Sequence, residues 1–217
     1  MLSVYSVIGF ALIVLALFMQ WQVYVEQIVF TFAVSSLVIA AGFAIEGWKS
    51  SHSVLLILAA LTASVRGVVI PLVIVRSLHD NPWRARENRP VVPVASSILI
   101  TLALVIGALW LFGWAIDSTF GNAGAYAALP FAVLFQGAFL IVSRRNAFLQ
   151  MTGYLVIENA VLLLGAWAFP ELPLLVEGAV VLDLLGVVIV SRVIMRMREE
   201  AADVPELRSA ATEDLRG

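Results

Sequence analysis

Apolar runs of helix length, separated by short polar stretches, leave this chain few ways to fold. Inside a bilayer no water is present to satisfy backbone N–H and C=O groups. A run of about 20 apolar residues therefore crosses as a helix, which satisfies them internally. Seven such runs can be read, at about residues 2–20, 26–46, 53–76, 94–116, 124–143, 147–168 and 172–196. The composition agrees: 62% of the 217 residues are hydrophobic and 13% charged, with a mean hydropathy of +1.00, far from a soluble domain. The expected fold is an all-α polytopic membrane protein. Residues 1–19 lack a basic segment before their apolar run and read as the first membrane helix, not a cleavable signal.

The polar punctuation carries an orientation. With the N-terminus outside, the cytoplasmic side collects Arg76, Arg84, Arg86, Arg89, Arg144, Arg145, Arg192, Arg196 and Arg198, and the opposite side only Lys49. That asymmetry satisfies the positive-inside rule for seven spans and a cytoplasmic C-terminus. Residues 1–78 then form a three-helix N-terminal unit and residues 79–93 a cytoplasmic loop. Residues 94–199 form a four-helix unit, and residues 200–217 a polar tail. Trp110, Trp114 and Tyr126 are expected as interfacial anchors, and Pro130 as a bend at the start of the fifth helix.

Several chemistries are excluded at this stage. Without cysteine the chain has no thiolate for catalysis, disulfides or an iron–sulfur cluster. His52 and His79 fall at predicted membrane edges, poorly placed to hold a haem between them. The net charge of −2 and the scattered arginines give no nucleic-acid footprint. No phosphate loop, metal-ligand cluster or nucleophile–base arrangement is present, so no catalytic centre, cofactor or metal is expected.

What remains is a set of polar residues at membrane depth. The run NAFLQMTGYLVIENAVLLLGAW (residues 146–167) carries Glu158 near its centre, and the last run carries Asp183 at its own centre. A carboxyl at the bilayer midplane costs roughly 2.5–3.5 kcal/mol on insertion scales, so it faces a partner or a wet cavity. Arg66 lies half way along the third run, five residues before Pro71, which loosens the local backbone hydrogen bonding. Its guanidinium needs a carboxylate, and Glu158 or Asp183 could supply it. Asn159, Tyr154 one turn before Glu158, and the shallower Glu177 complete the candidate proton path. Buried carboxyls can take up and pass on protons, and a nearby arginine opposes the uptake. Each residue also has a structural reading, as a static pair or a helix-bridging hydrogen bond.

These residues resemble a known family. The string RRNAFLQMTGYLVIENAVLLLGAWAFPEL, continuing through VVLDLLGVVIVSRVIMR, is similar to component E of hydrogenase-4 and formate hydrogenlyase complexes, a membrane subunit. The matching elements are Arg145-Asn146, Gly153-Tyr154, Glu158-Asn159, Pro170-Glu171-Leu172 and Asp183, with Arg66 standing where the family has a basic residue before a proline. Residues 124–199 are in turn similar to the K-type subunit of respiratory complex I, whose first proton-path glutamate aligns with Leu155, one turn from Glu158. The resemblance implies a non-catalytic subunit of an oxidoreductase-type complex in a bacterial or archaeal plasma or inner membrane. Its partners would be antiporter-like and other membrane subunits and the lipid bilayer, and its role a proton translocation path. The alternatives are a purely structural or assembly subunit and, as a third reading, a stand-alone secondary transporter.

Overall fold

The computed structural model describes residues 4–79, 91–120 and 128–168, together with the single helical positions Gly186, Val188, Arg192, Met195 and Arg196. Helix α1 is Val4–Trp21 and α2 is Val25–Ser50. Helix α3, Ser53–Leu61, runs through a π-helical segment, Thr62–Val69, into α4, Ile70–His79. Then come α5, Val94–Phe120, α6, Leu129–Ser143, and α7, Ala147–Ala168. No strand occurs among the described residues, and five spans, α3 to α4 taken as one, are long and apolar enough to cross a membrane by length and composition. Helix α6 is apolar but shorter. The described residues are all-helical, with the helices of a membrane protein. The loop at 80–90, Tyr126 and the tail at 200–217 lie outside the described residues, as does most of the run at 172–196.

Helix α2 is the hub, packed against α1, α3, the π-helical segment, α4 and α7. Helix α1 packs on α5 and α6 as well as on α2, so helices from both sides of the long loop contribute to one apolar core. The most extensive pairing is α6 with α7. It is built on two facing glycines. A Cβ added at Gly137 would stand 2.9 Å from the Gly153 carbonyl oxygen, and one added at Gly153 would stand 2.9 Å from that of Gly137. The two backbones can approach this closely only because neither position has a side chain.

The turns follow local chemistry. Ser51 closes α2 in the left-handed region at φ 57°, and the next residue, His52, donates its N–H to the Gly47 carbonyl, so α3 folds back tightly on α2. Asn146 caps α7, its side-chain oxygen accepting from the Phe148 N–H at 2.9 Å. One expectation is corrected. Pro130 does not bend a helix in progress: it sits in the first turn of α6, where its missing N–H leaves no helical hydrogen bond unmade. Arg144, which follows α6, is buried, and its guanidinium donates to the Gln20 carbonyl at 2.9 Å, satisfying a last-turn acceptor of α1.

Candidate functional site

Arg66, Glu158 and Asn159 meet between the π-helical segment, α7 and α2. Arg66 Nη2 lies 3.2 Å from Glu158 Oε2, and both side chains are essentially sealed, at 0% and 2% exposure. Arg66 Nη1 donates to Asn159 Oδ1 at 3.1 Å. Asn159 in turn donates through Nδ2 to Ser35 Oγ at 3.3 Å and Ser36 Oγ at 3.2 Å. Ser35 passes the chain to the backbone by donating to the Phe32 carbonyl at 2.7 Å. Three helical elements are thereby tied by one ion pair and a string of neutral hydrogen bonds.

The local sequence explains why Arg66 is delivered to this point. Pro71 has no N–H, and its ring crowds the carbonyl four residues back, which belongs to Gly67. The backbone answers by widening the preceding turns into the π-helix Thr62–Val69, closed by the Ile70 N–H bonding to Val65 O. Gly67 lets this widened segment lie on α2, since a Cβ there would come within 2.7 Å of Leu37 Cδ2. Arg66 therefore faces the α2 and α7 side of the bundle, beside Ser35 and Ser36, and not the lipid side. Thr62, at the start of the same segment, is also fully buried.

Around Glu158 the surroundings are mixed. Tyr154 stands one turn earlier on α7 and is only partly buried. On another side lies position 186, where a Cβ built on the glycine would be 3.4 Å from Glu158 Oε2, an ordinary contact distance. Of the two carboxylates open to Arg66 in the sequence, Glu158 is the one it pairs with among the described residues. Asp183 and Glu177 lie outside them. No group of three or more His, Asp or Glu side chains able to hold a metal converges among the described residues.

Sequence reasoning found Arg66, Glu158, Asn159 and Tyr154, and the structure brings those four together. It missed Ser35, Ser36 and the burial of Arg144. The serine doublet did leave a signal, two adjacent hydroxyls half way along an otherwise apolar run. Serine is common enough in membrane helices that the signal gains meaning only once α2 is seen against α7.

An uncharacterized protein of Mycobacterium tuberculosis, Rv0085, is 26% identical to this chain over 200 residues, covering 91% of each. No protein-family model matches the sequence, and no solved structure matches it.

Proposed function

We propose that the chain is a non-catalytic subunit of the membrane arm of a hydrogenase-4, formate hydrogenlyase or complex-I-like assembly, and that its Arg66–Glu158 pair serves a proton translocation path. In this reading the chain crosses a bacterial or archaeal plasma membrane seven times, N-terminus outside and C-terminus cytoplasmic, beside antiporter-like subunits. The observation that supports it is the sealed ion pair at middle depth, 3.2 Å between Nη2 and Oε2, with a second acceptor for the guanidinium on Asn159. Two acceptors give Arg66 two resting places. While it holds Glu158, the carboxylate's charge is neutralised by the guanidinium. When it rests on Asn159 alone, a proton reaching the carboxylate neutralises that charge instead, because an uncompensated charge in hydrocarbon costs too much. Tyr154, partly exposed and one turn before Glu158, provides the hydroxyl through which that proton would arrive or leave.

A mild-detergent pull-down of the tagged chain from its native membrane, with partners identified by mass spectrometry, tests the assembly. Recovery with antiporter-like subunits is the expected result; recovery of the chain alone, intact and monodisperse, sinks the subunit reading. In the recovered complex Glu158→Gln should leave assembly intact and reduce coupled proton movement by about a hundredfold, the scale of losing one positioned acid–base group. The second reading, a purely structural subunit, draws on the string from Asn159 to Ser35 and Ser36, which ties helices whether or not a proton moves. It expects Glu158→Gln to fail in assembly instead.

A further inference from the structure

Away from the ion pair, the α1–α2 turn and the flank of α4 enclose an open groove of about 970 Å³. Its make-up changes with depth. Gln22, Glu26 and Gln27 line the end beside the turn, while Leu15 and Val34 line the other. At 1.5 Å of rise per helical residue, Leu15 and Val34 sit about 10 Å deeper than Gln22 and Glu26. The turn itself is fixed by a buried Gln22–Thr31 side-chain pair, Gln22 Nε2 donating to Thr31 Oγ1 at 3.0 Å. Four aromatic rings stand along the groove, Phe18, Trp21, Tyr24 and Phe30, between 48% and 68% exposed. Glu26 is the one charged side chain among the described lining residues.

We propose that this groove seats a phospholipid whose headgroup carries an ammonium group. A polar end at the membrane edge with an apolar channel running inward matches the head and chain of a lipid. The charge selects which head. With one carboxylate and several aromatic faces, the polar end attracts an ammonium through ion pairing and cation–π contact. A headgroup whose only charge is its phosphate meets like charge at Glu26. Clustering of this kind around a concavity is what separates a seat from the scattered exposed aromatics of any membrane surface.

The test uses the full chain in nanodiscs of equimolar phosphatidylethanolamine and phosphatidylglycerol, with the lipids it retains on release counted by native mass spectrometry. Phosphatidylethanolamine should be retained about fivefold over phosphatidylglycerol, the size of one exposed cation contact. Glu26→Gln should erase that preference, Glu26→Lys should reverse it, and Trp110→Leu on α5, far from the groove in sequence, should leave it unchanged. Equal retention of the two lipids by the unsubstituted chain overturns the proposal, as does an unchanged preference in Glu26→Lys. A photo-reactive residue at Val23 that cross-links in native membranes to a polypeptide and not to lipid overturns it as well.

Discussion

Helices α5 and α7 are both apolar and long enough to span a bilayer, yet 67% of the apolar window of α7 is buried and only 22% of that of α5. The less apolar of the two is the more enclosed. In water the opposite would hold. In a bilayer, lipid tails accept leucine and isoleucine as readily as protein does, so hydrophobicity gives a helix no reason to be central. What draws α7 inward is Glu158, Asn159 and the bare backbone at Gly153, each of which needs another helix and not lipid. Helix α2 confirms the rule from another angle: highly apolar, it is central because Ser35, Ser36 and Thr31 give it hydrogen bonds to make. Helix α5 has little of this kind. It is attached mainly to α6, where Phe112 stacks on Phe131 with ring centroids 4.0 Å apart.

Substitutions should sharpen this contrast in a graded way, read by detergent-driven unfolding of the purified chain. The largest effect is expected from Arg66→Met, which leaves Glu158 sealed without its cation and should cost about 3–5 kcal/mol. The double variant Arg66→Met/Glu158→Met should recover most of that loss; a double variant as unstable as the single one would show that packing, not charge, dominates the seam. Next is Gly153→Ala, whose added carbon must push the Gly137 carbonyl aside, with an expected cost of about 1–3 kcal/mol. If Gly153→Ala is silent, the α6–α7 crossing is not the tight contact that keeps α7 central. Removing both hydroxyls in Ser35→Ala/Ser36→Ala should cost about 0.6–1.7 kcal/mol, the range of interhelical hydrogen bonds in membranes. Smallest is Ile106→Ala on the exposed face of α5, expected within about 0.5 kcal/mol of the parent. A loss there as large as at Gly153 would show that the face of α5 is covered by protein.

Much of the fold was legible because membrane insertion is a local decision. The expected starts of α2, α3, α5 and α7 fall within a residue of the observed ones, set by where apolar residues begin and end. Helix α2 runs a turn past its expected end, since Glu46 and Lys49 belong to a helix that outlasts its apolar stretch. Pro130 was misjudged because the effect of a proline depends on its position in the helix, and the described α6 starts at Leu129. The burial of Arg144 was not legible for a related reason: what a turn arginine bonds to is settled only by the neighbouring helix end that presents a carbonyl to it.

By itself the sequence determined that this is a chain of helices long and apolar enough to cross a membrane, and that Arg66, Glu158 and Asn159 stand near the middle of their apolar runs. Length and hydropathy along a run fix depth without reference to any other helix. Which way each helix faces, and so which groups meet, was decided only by the tertiary structure. The rotation of an apolar helix about its axis is left open by lipid that accepts every face alike. It is settled when the widened turns before Pro71 carry Arg66 to Glu158, when Asn159 finds the Ser35–Ser36 pair, and when Gly137 and Gly153 let two backbones touch.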